Sequence, residues 1–370
     1  MCRQTMAVVP DVFAEGCVDH RVKAVQFSEH GQRDVLEYGD FEDPEIDRSE
    51  VLVDVKAGAL NHLDVFTRMG LGALSRLDLE MPHIPGSDAA GVVEEVGGDV
   101  ERFEPGDRVT ISAGLSCGHC EFCRDGDPTL CTDFQIIGEH VRGVHSEKAA
   151  VPAENLVPVP EGVEWETAAA APLVFQTAWR MLVTRAELKP GESILVLGAS
   201  GGVGHAAVQI ADYIGAEVYA TASTEEKLEY ASDIGADHTI NYDENDFADA
   251  IAEATGKRGV DVVVDHIGKA TWQDSLASLA KGGSIVTCGA TTGRDPETDI
   301  NRIFWNQLEI HGSTMGAPGE VDDVLELVWE GEFEPHIRET LPMSEIDRAH
   351  EIIEEREGFG KVVVIPDSEL

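Results

Sequence analysis

The sequence predicts an α/β protein with two cores: a barrel-like β domain and a doubly wound parallel sheet. Three observations carry that expectation. The chain has 370 residues, too many for one ordinary core. Up to about residue 157 it reads as short strands broken by turns such as Pro105-Gly106-Asp107. After residue 160, apolar runs alternate with helical stretches, the pattern of parallel strands joined by crossover helices.

Residues 1–20 read as an N-terminal extension, expected to be disordered. The first convincing strand is 22–27. Residues 51–56 alternate apolar and polar, as a half-buried strand does, and 90–97 is a second such strand. Residues 166–184 are Ala-rich and helical. Strands follow at 194–197, 218–220, 260–264, 284–286 and 308–310, with helices between them, such as 203–214 and 224–234. The tail past 314 shows one clear helix, 344–355, and ends in an apolar strand, 361–365, that returns to the first domain. The expected division is therefore 21–157 with 314–370 for the β domain, and 158–313 for the parallel-sheet domain.

Charge narrows the function classes. There are 70 Asp and Glu against 27 Lys and Arg, a formal net charge of −43. Phosphate would be repelled, which excludes nucleic acid as a partner. The acids are spread along the whole chain, so they form a solvated surface on a folded protein rather than an acidic tail. Such a composition resembles that of proteins from salt-loving archaea. Self-repulsion predicts a fold weakened in dilute buffer and firmer in molar KCl, where the Debye length drops to ~3 Å. Equal melting temperatures at low and high salt would count against this. No run approaches the ~20 apolar residues of a membrane helix, and the N-terminus lacks the apolar stretch of a signal peptide. A cytoplasmic protein with no membrane partner is expected. The 7 cysteines are odd in number and four cluster, unlike a disulfide framework.

The run Gly198-Ala199-Ser200-Gly201-Gly202-Val203-Gly204 sits between a predicted strand and a predicted helix. Glycines there let the backbone turn tightly and approach a pyrophosphate, which the helix N-terminus then binds. An NAD site normally has an acid some ~20 residues on. Here Ala222 holds that place, followed by Ser223, with Lys227 one turn further and Tyr242 ending the next strand. A missing acid removes repulsion toward a 2′-phosphate, and Ser, Lys and Tyr can bind one. NADPH is expected over NADH. The alternative for Lys227 is a surface pair with Glu225 or Glu226.

Cys117, Cys120, Cys123 and Cys131 lie on a glycine-containing loop with spacing suited to one tetrahedral, structural zinc. His119 reads as a bystander and Cys288 as core.

On these motifs the chain from about residue 21 onward resembles the medium-chain dehydrogenase/reductase superfamily, with a GroES-like β domain, a four-cysteine lobe and a Rossmann domain. The resemblance implies a homodimer or homotetramer and hydride transfer to or from a nicotinamide. Zinc alcohol dehydrogenases of that superfamily hold a second, catalytic zinc. Asn61, Ser87 and Leu173 stand where its three ligands would be. Asn and Ser oxygens are poor zinc ligands and Leu cannot ligate. A relocated metal would have to use His62, Asp64, Asp88 or His140. Asn61-x-x-Asp64, Gly86-Ser87-Asp88 and the glycine run instead resemble the quinone oxidoreductase and enoyl reductase branch, many of whose members lack the cysteine lobe.

That branch implies a quinone or conjugated carbonyl as the small-molecule substrate. Asn61 would hydrogen-bond the substrate oxygen or the nicotinamide amide. His62 would approach the pyrophosphate or relay a proton. Asp64 is the third catalytic candidate, with a structural role the favoured reading for it. Thr177 would face the nicotinamide. His266, Gly289 and Ala290, at strand ends, would line the cofactor. The rival readings are an alcohol dehydrogenase and a non-enzymatic NADPH-binding protein. The substrate pocket is expected to depend on the loop 69–81.

Overall fold

Two sheets carry the molecule, and each is built from a different strand pattern. The structure, a computed structural model, describes residues 21–71 and 79–370. The expected extension 1–20 and the middle of the 69–81 loop lie outside the described residues.

The first sheet has six parallel strands in the order His238–Asn241, Glu217–Ala222, Ser193–Val196, Val260–Val264, Leu279–Thr287, Glu309–Gly312. Numbered along the chain this is 3-2-1-4-5-6, the doubly wound dinucleotide-binding order. A parallel sheet is covered on both faces, which is why its inner strands, such as Ser193–Val196 and Val260–Val264, are almost wholly apolar rather than alternating. Ile194, Val196, Val262 and Val264 pack with Ala206, Ala207 and Ile210 of the helix Gly202–Ile214. Leu195, Val263 and Ile285 face the other way, onto Ile251 and Leu276. Each such aliphatic side chain, fully buried, contributes roughly 1.5–3 kcal/mol.

The second sheet is antiparallel for the most part and centres on Glu50–Ala59. That strand pairs with Asp88–Val96, with Lys148–Pro152, and through Gly58 and Ala59 with Lys361–Ile365. The C-terminal strand thus closes onto the first half of the chain. A hairpin of Arg21–Gln26 and Glu37–Glu42 lies beside it.

Between the sheets, the helical stretch read at 166–184 is three pieces. Trp165–Ala170 stops at Pro172, which opens Pro172–Trp179, and Arg180–Arg185 follows as a π-helix. The tail carries a second helix that sequence reading missed, Pro318–Trp329. Its start is marked by Pro318 and Glu320, and Val321, Val324, Leu325 and Val328 form its buried stripe. No described helix is long and apolar enough to cross a membrane.

Candidate active site

The carboxyl ends of the parallel strands meet the Asn61 region of the second sheet, and the candidate residues gather there. The helix Gly202–Ile214 starts at Gly201 with no side chain capping it. Its first N–H groups therefore remain available to an anion, with the helix dipole behind them. Gly198 adopts a left-handed φ of 62°, and a Cβ on Gly204 would collide with the Gly198 carbonyl oxygen. Ala199 is fully buried and its N–H is bonded to the Thr221 carbonyl. The Ser200 carbonyl accepts the N–H of Gly360 from the C-terminal segment. This cradle fits a pyrophosphate.

Ser223 and Tyr242 directly follow the adjacent strands Glu217–Ala222 and His238–Asn241, and Lys227 lies in the first turn of the helix Glu225–Asp233. Lys227 does not pair with Glu225 or Glu226; its ammonium donates to the Arg356 carbonyl at 3.1 Å. Burial, then the nearby Arg338 and Arg356, push the Lys227 pKa down. Arg356, which sequence reading missed, brings a second cation to this strand end.

The other strand-end loops are shaped by Asp265, whose carboxylate accepts from the Ile267 and Gly268 N–H groups and from Thr271 and Ser275. The turn holds His266 with its Nε2 3.5 Å from where a Gly198 Cβ would stand. Gly289 packs close to the His266 carbonyl, and Ala290 lies against Gly268. Thr177 is buried on Pro172–Trp179. His62 opens onto the same cleft. Its side chain is exposed at the cleft, yet desolvation by the surrounding protein, then the fields of His266, Arg356 and Lys361, push its pKa down to about 4.

Asp64 is held by the backbone around it. Its two oxygens accept the backbone N–H groups of Asn61 at 2.7 Å and Gly86 at 3.1 Å. Burial raises its pKa to about 6. Asp64 thus ties the start of its helix to the Gly86 turn. Beside it Glu139 is pushed up to about 7 by burial and by the Asp64 charge; no sequence pattern singled it out.

Asn61 sits in a buried network. Its Oδ1 accepts from Lys361 Nζ at 2.6 Å and its Nδ2 donates to Asp88 Oδ2 at 2.8 Å. Lys361 and Asp88 form an ion pair at 3.2 Å. The Leu173 N–H donates to Asp88 Oδ1 at 3.0 Å, and Ser87 Oγ turns away to the Ile137 carbonyl. The expected reach of Asn61 toward a ligand is therefore partly spent on Lys361 and Asp88. Lys361 was missed because a lysine opening an apolar strand reads as an exposed end.

The relocated metal set is not gathered. His140 Nδ1 accepts the Ile136 N–H, while Asp64 and Asp88 are committed as above. Among the described residues, the one group of three or more His, Cys, Asp or Glu side chains able to hold an ion is Cys117, Cys120, Cys123 and Cys131. Their sulfurs lie within 4.8 Å of one another. Tetrahedral Zn–S bonds of ~2.3 Å need such separations. Backbone N–H groups of Cys117, Cys120 and Asp133 already point at these sulfurs. His119 bonds the Cys117 carbonyl, outside the sulfur set.

Comparison with known proteins agrees with this architecture. Residues 202–330 match the zinc-binding dehydrogenase family and residues 47–161 the alcohol dehydrogenase GroES-like domain. An acryloyl-coenzyme A reductase of Sulfurisphaera tokodaii is 32% identical over 329 residues, covering 88% of this chain and 94% of that protein. A quinone oxidoreductase of Pseudomonas aeruginosa is 32% identical over 355 residues, covering 93% and 99%. A crystal structure described as an NAD-dependent alcohol dehydrogenase superposes with a TM-score of 0.88 at 42% identity, covering 93% and 99%.

Proposed function

The chain belongs to the medium-chain dehydrogenase/reductase superfamily, an NAD(P)-dependent oxidoreductase with GroES-like and Rossmann domains, and from that premise we propose that it reduces a quinone or a conjugated carbonyl or enoyl substrate with NADPH. Membership of an enzyme family sets aside the non-enzymatic reading. One observation carries the proposal. The three positions that would ligate a catalytic zinc hold Asn61, Ser87 and Leu173, and the side chain of the first is bonded to a lysine ammonium. A site so furnished favours chemistry that needs no Lewis acid. Among relatives, an acryloyl-coenzyme A reductase and a quinone oxidoreductase support the reading.

The nicotinamide, when bound, supplies the hydride. The chain's own part is binding, orientation and charge. The uncapped start of Gly202–Ile214 would hold the pyrophosphate, with His62 and His266 across the cleft. Ser223, Lys227 and Tyr242, joined by Arg356, would hold the 2′-phosphate. Reduction of a conjugated carbonyl places negative charge on its oxygen, and Asn61 would donate a hydrogen bond there. The four cysteines would hold one zinc that ties the lobe together, outside the reaction. A homodimer or homotetramer is proposed too. The Glu309–Gly312 strand is a sheet edge, and Ile300, Phe304 and Trp305 beside it are exposed at 71%, 61% and 74%. An apolar edge of this kind invites a second copy. A monomeric mass by light scattering would remove that part.

A second reading, an alcohol dehydrogenase, is favoured by the solved structure at 42% identity. One experiment separates them: cofactor turnover with NADPH and NADH against a quinone, an enone, an enoyl thioester and an alcohol–aldehyde pair, with metal analysis. The proposal expects turnover with the first three classes, NADPH preferred about tenfold (~1.4 kcal/mol), and about one zinc per chain. Alcohol oxidation with about two zinc per chain would replace it by the second reading.

A further inference from the structure

Asn61 lies between a group that only donates hydrogen bonds and a group that only accepts them. A lysine ammonium has no acceptor, and a carboxylate has no donor. Lys361 Nζ must therefore meet the Asn61 oxygen, and Asp88 Oδ2 must meet its NH2. The amide has one orientation. All three side chains are shielded from water, with exposures of 7% for Asn61, 0% for Asp88 and 3% for Lys361. Burial strengthens these hydrogen bonds relative to ones made in water. Asp88 is fixed in turn, because the Leu173 N–H holds its other oxygen. Lys361 is fixed by its stem, which passes 3.5 Å from where a Cβ on Gly202 would stand, at the first turn of the uncapped helix.

The bonding leaves one N–H of the Asn61 amide unspent. We propose that Lys361 and Asp88 are positioning residues that lock Asn61 as a hydrogen-bond donor toward the substrate oxygen. This rests on the reading that Asn61 meets that oxygen, and it deepens it. A donor favours an oxygen that gains negative charge as hydride arrives, as in a quinone or conjugated carbonyl. An alcohol entering as hydride donor would bring a hydroxyl proton needing an acceptor instead.

The lock can be inverted. In the double variant Asp88→Asn/Lys361→Met, the Leu173 N–H still requires an oxygen, which turns the new amide nitrogen toward Asn61. With the ammonium gone, Asn61 flips to present its own oxygen to that nitrogen, and its donor turns away. Asp88→Asn keeps side-chain length and Lys361→Met shortens it by one atom, and together they remove a buried ion pair without leaving a lone charge. With NADPH and the best quinone or enone substrate, kcat should fall on the order of 10²-fold, the scale of one lost oxyanion donor. The primary deuterium isotope effect with 4-deuterated NADPH should rise, as hydride transfer becomes limiting. Lys361→Arg, which keeps a donor-only cation, should retain most of the activity.

A merely structural role would lower the melting temperature and leave the isotope effect unchanged. A stably folded double variant with native kcat, or with reduced kcat and an unaltered isotope effect, overturns the proposal. Should the double variant not fold, Lys361→Met and Lys361→Arg are compared by the same isotope effect; equal values for the two overturn it. Asn61→Asp separates the two levels. If it turns over as the native enzyme does, the reading of Asn61 itself has failed. If it is crippled while the double variant is not, only the positioning inference has failed.

Discussion

Two helix starts face the same cleft and are finished in opposite ways. The helix at Gly202 begins with glycines, no side-chain cap, and N–H groups left for a ligand. The helix His62–Met69 begins at Asn61, whose N–H is taken by Asp64 and whose amide is held by Lys361 and Asp88. One terminus is left open so that an anion can complete it. The other is closed on itself so that a single polar group points one way. The difference shows how one structural element serves binding when it is unsatisfied and orientation when it is fully satisfied. Lys361 links them, because its stem passes Gly202 and its ammonium ends at Asn61.

The open start should break most completely when its glycines are filled. Gly204→Ala drives a Cβ into the Gly198 carbonyl, a backbone atom that cannot step aside. We expect about 1–3 kcal/mol or more of lost stability and an NADPH affinity at least about tenfold weaker. Gly201→Ala sharpens the comparison, since its Cβ would lie an ordinary 3.5 Å from the Gly198 oxygen. It should keep the melting temperature while crowding the anion, so that NADPH binding alone weakens. Thermal melts with NADPH titrations read both. Equal effects of the two substitutions would mean that the loop is only a turn.

The closed start should break next, and in stability. Asp64→Ala strands the buried N–H groups of Asn61 and Gly86. Two orphaned donors cost on the order of 2–4 kcal/mol together, read as a lowered denaturation midpoint. A variant as stable as the native protein would return Asp64 to the catalytic candidates.

What was legible in the sequence follows the same division. The open start, the cysteine lobe and the strands of the parallel sheet are written in contiguous residues, so their chemistry shows in local spacing. The strand read at 260–264 is Val260–Val264, and that read at 194–197 is Ser193–Val196. The closed start is not local. Asn61 meets Asp88 27 positions away and Lys361 300 positions away, and no periodicity predicts such a meeting. Asp64 could be read two ways, because an acid three residues into a helix is both a capping residue and a catalytic one in pattern. The helix Pro318–Trp329 escaped because its many acids masked a clear buried stripe. Glycines at 358 and 360 around Lys361 were the one available sign that its strand enters a crowded place.

The smallest effect, and the finest test of the contrast, is in pH. On the open helix, His205 is fully buried. Its pKa is pushed down to about 4, first by burial and also by Lys361 and His336, against the favourable Gly201 carbonyl. A depressed base gives stability that is complete above its ordinary 6.5 and is lost as pH falls through about 4. On the closed helix, the Asp64 pKa is raised from 3.8 to about 6 by burial, despite the Asn61 and Gly86 N–H groups and Lys361. A raised acid gives stability that is complete below 3.8 and is lost as pH rises through about 6. Between pH 6 and 4 the two therefore oppose each other, and the native protein should show only about 1 kcal/mol of net change from this pair. His205→Gln removes one side of the balance, so acidification across that window should cost the variant less than the native chain. Asp64→Asn removes the other side, and acidification should cost it more. Urea midpoints at pH 6.5 and 4.5 for the three proteins measure this directly, and parallel shifts in all three would mean that neither helix start senses protons.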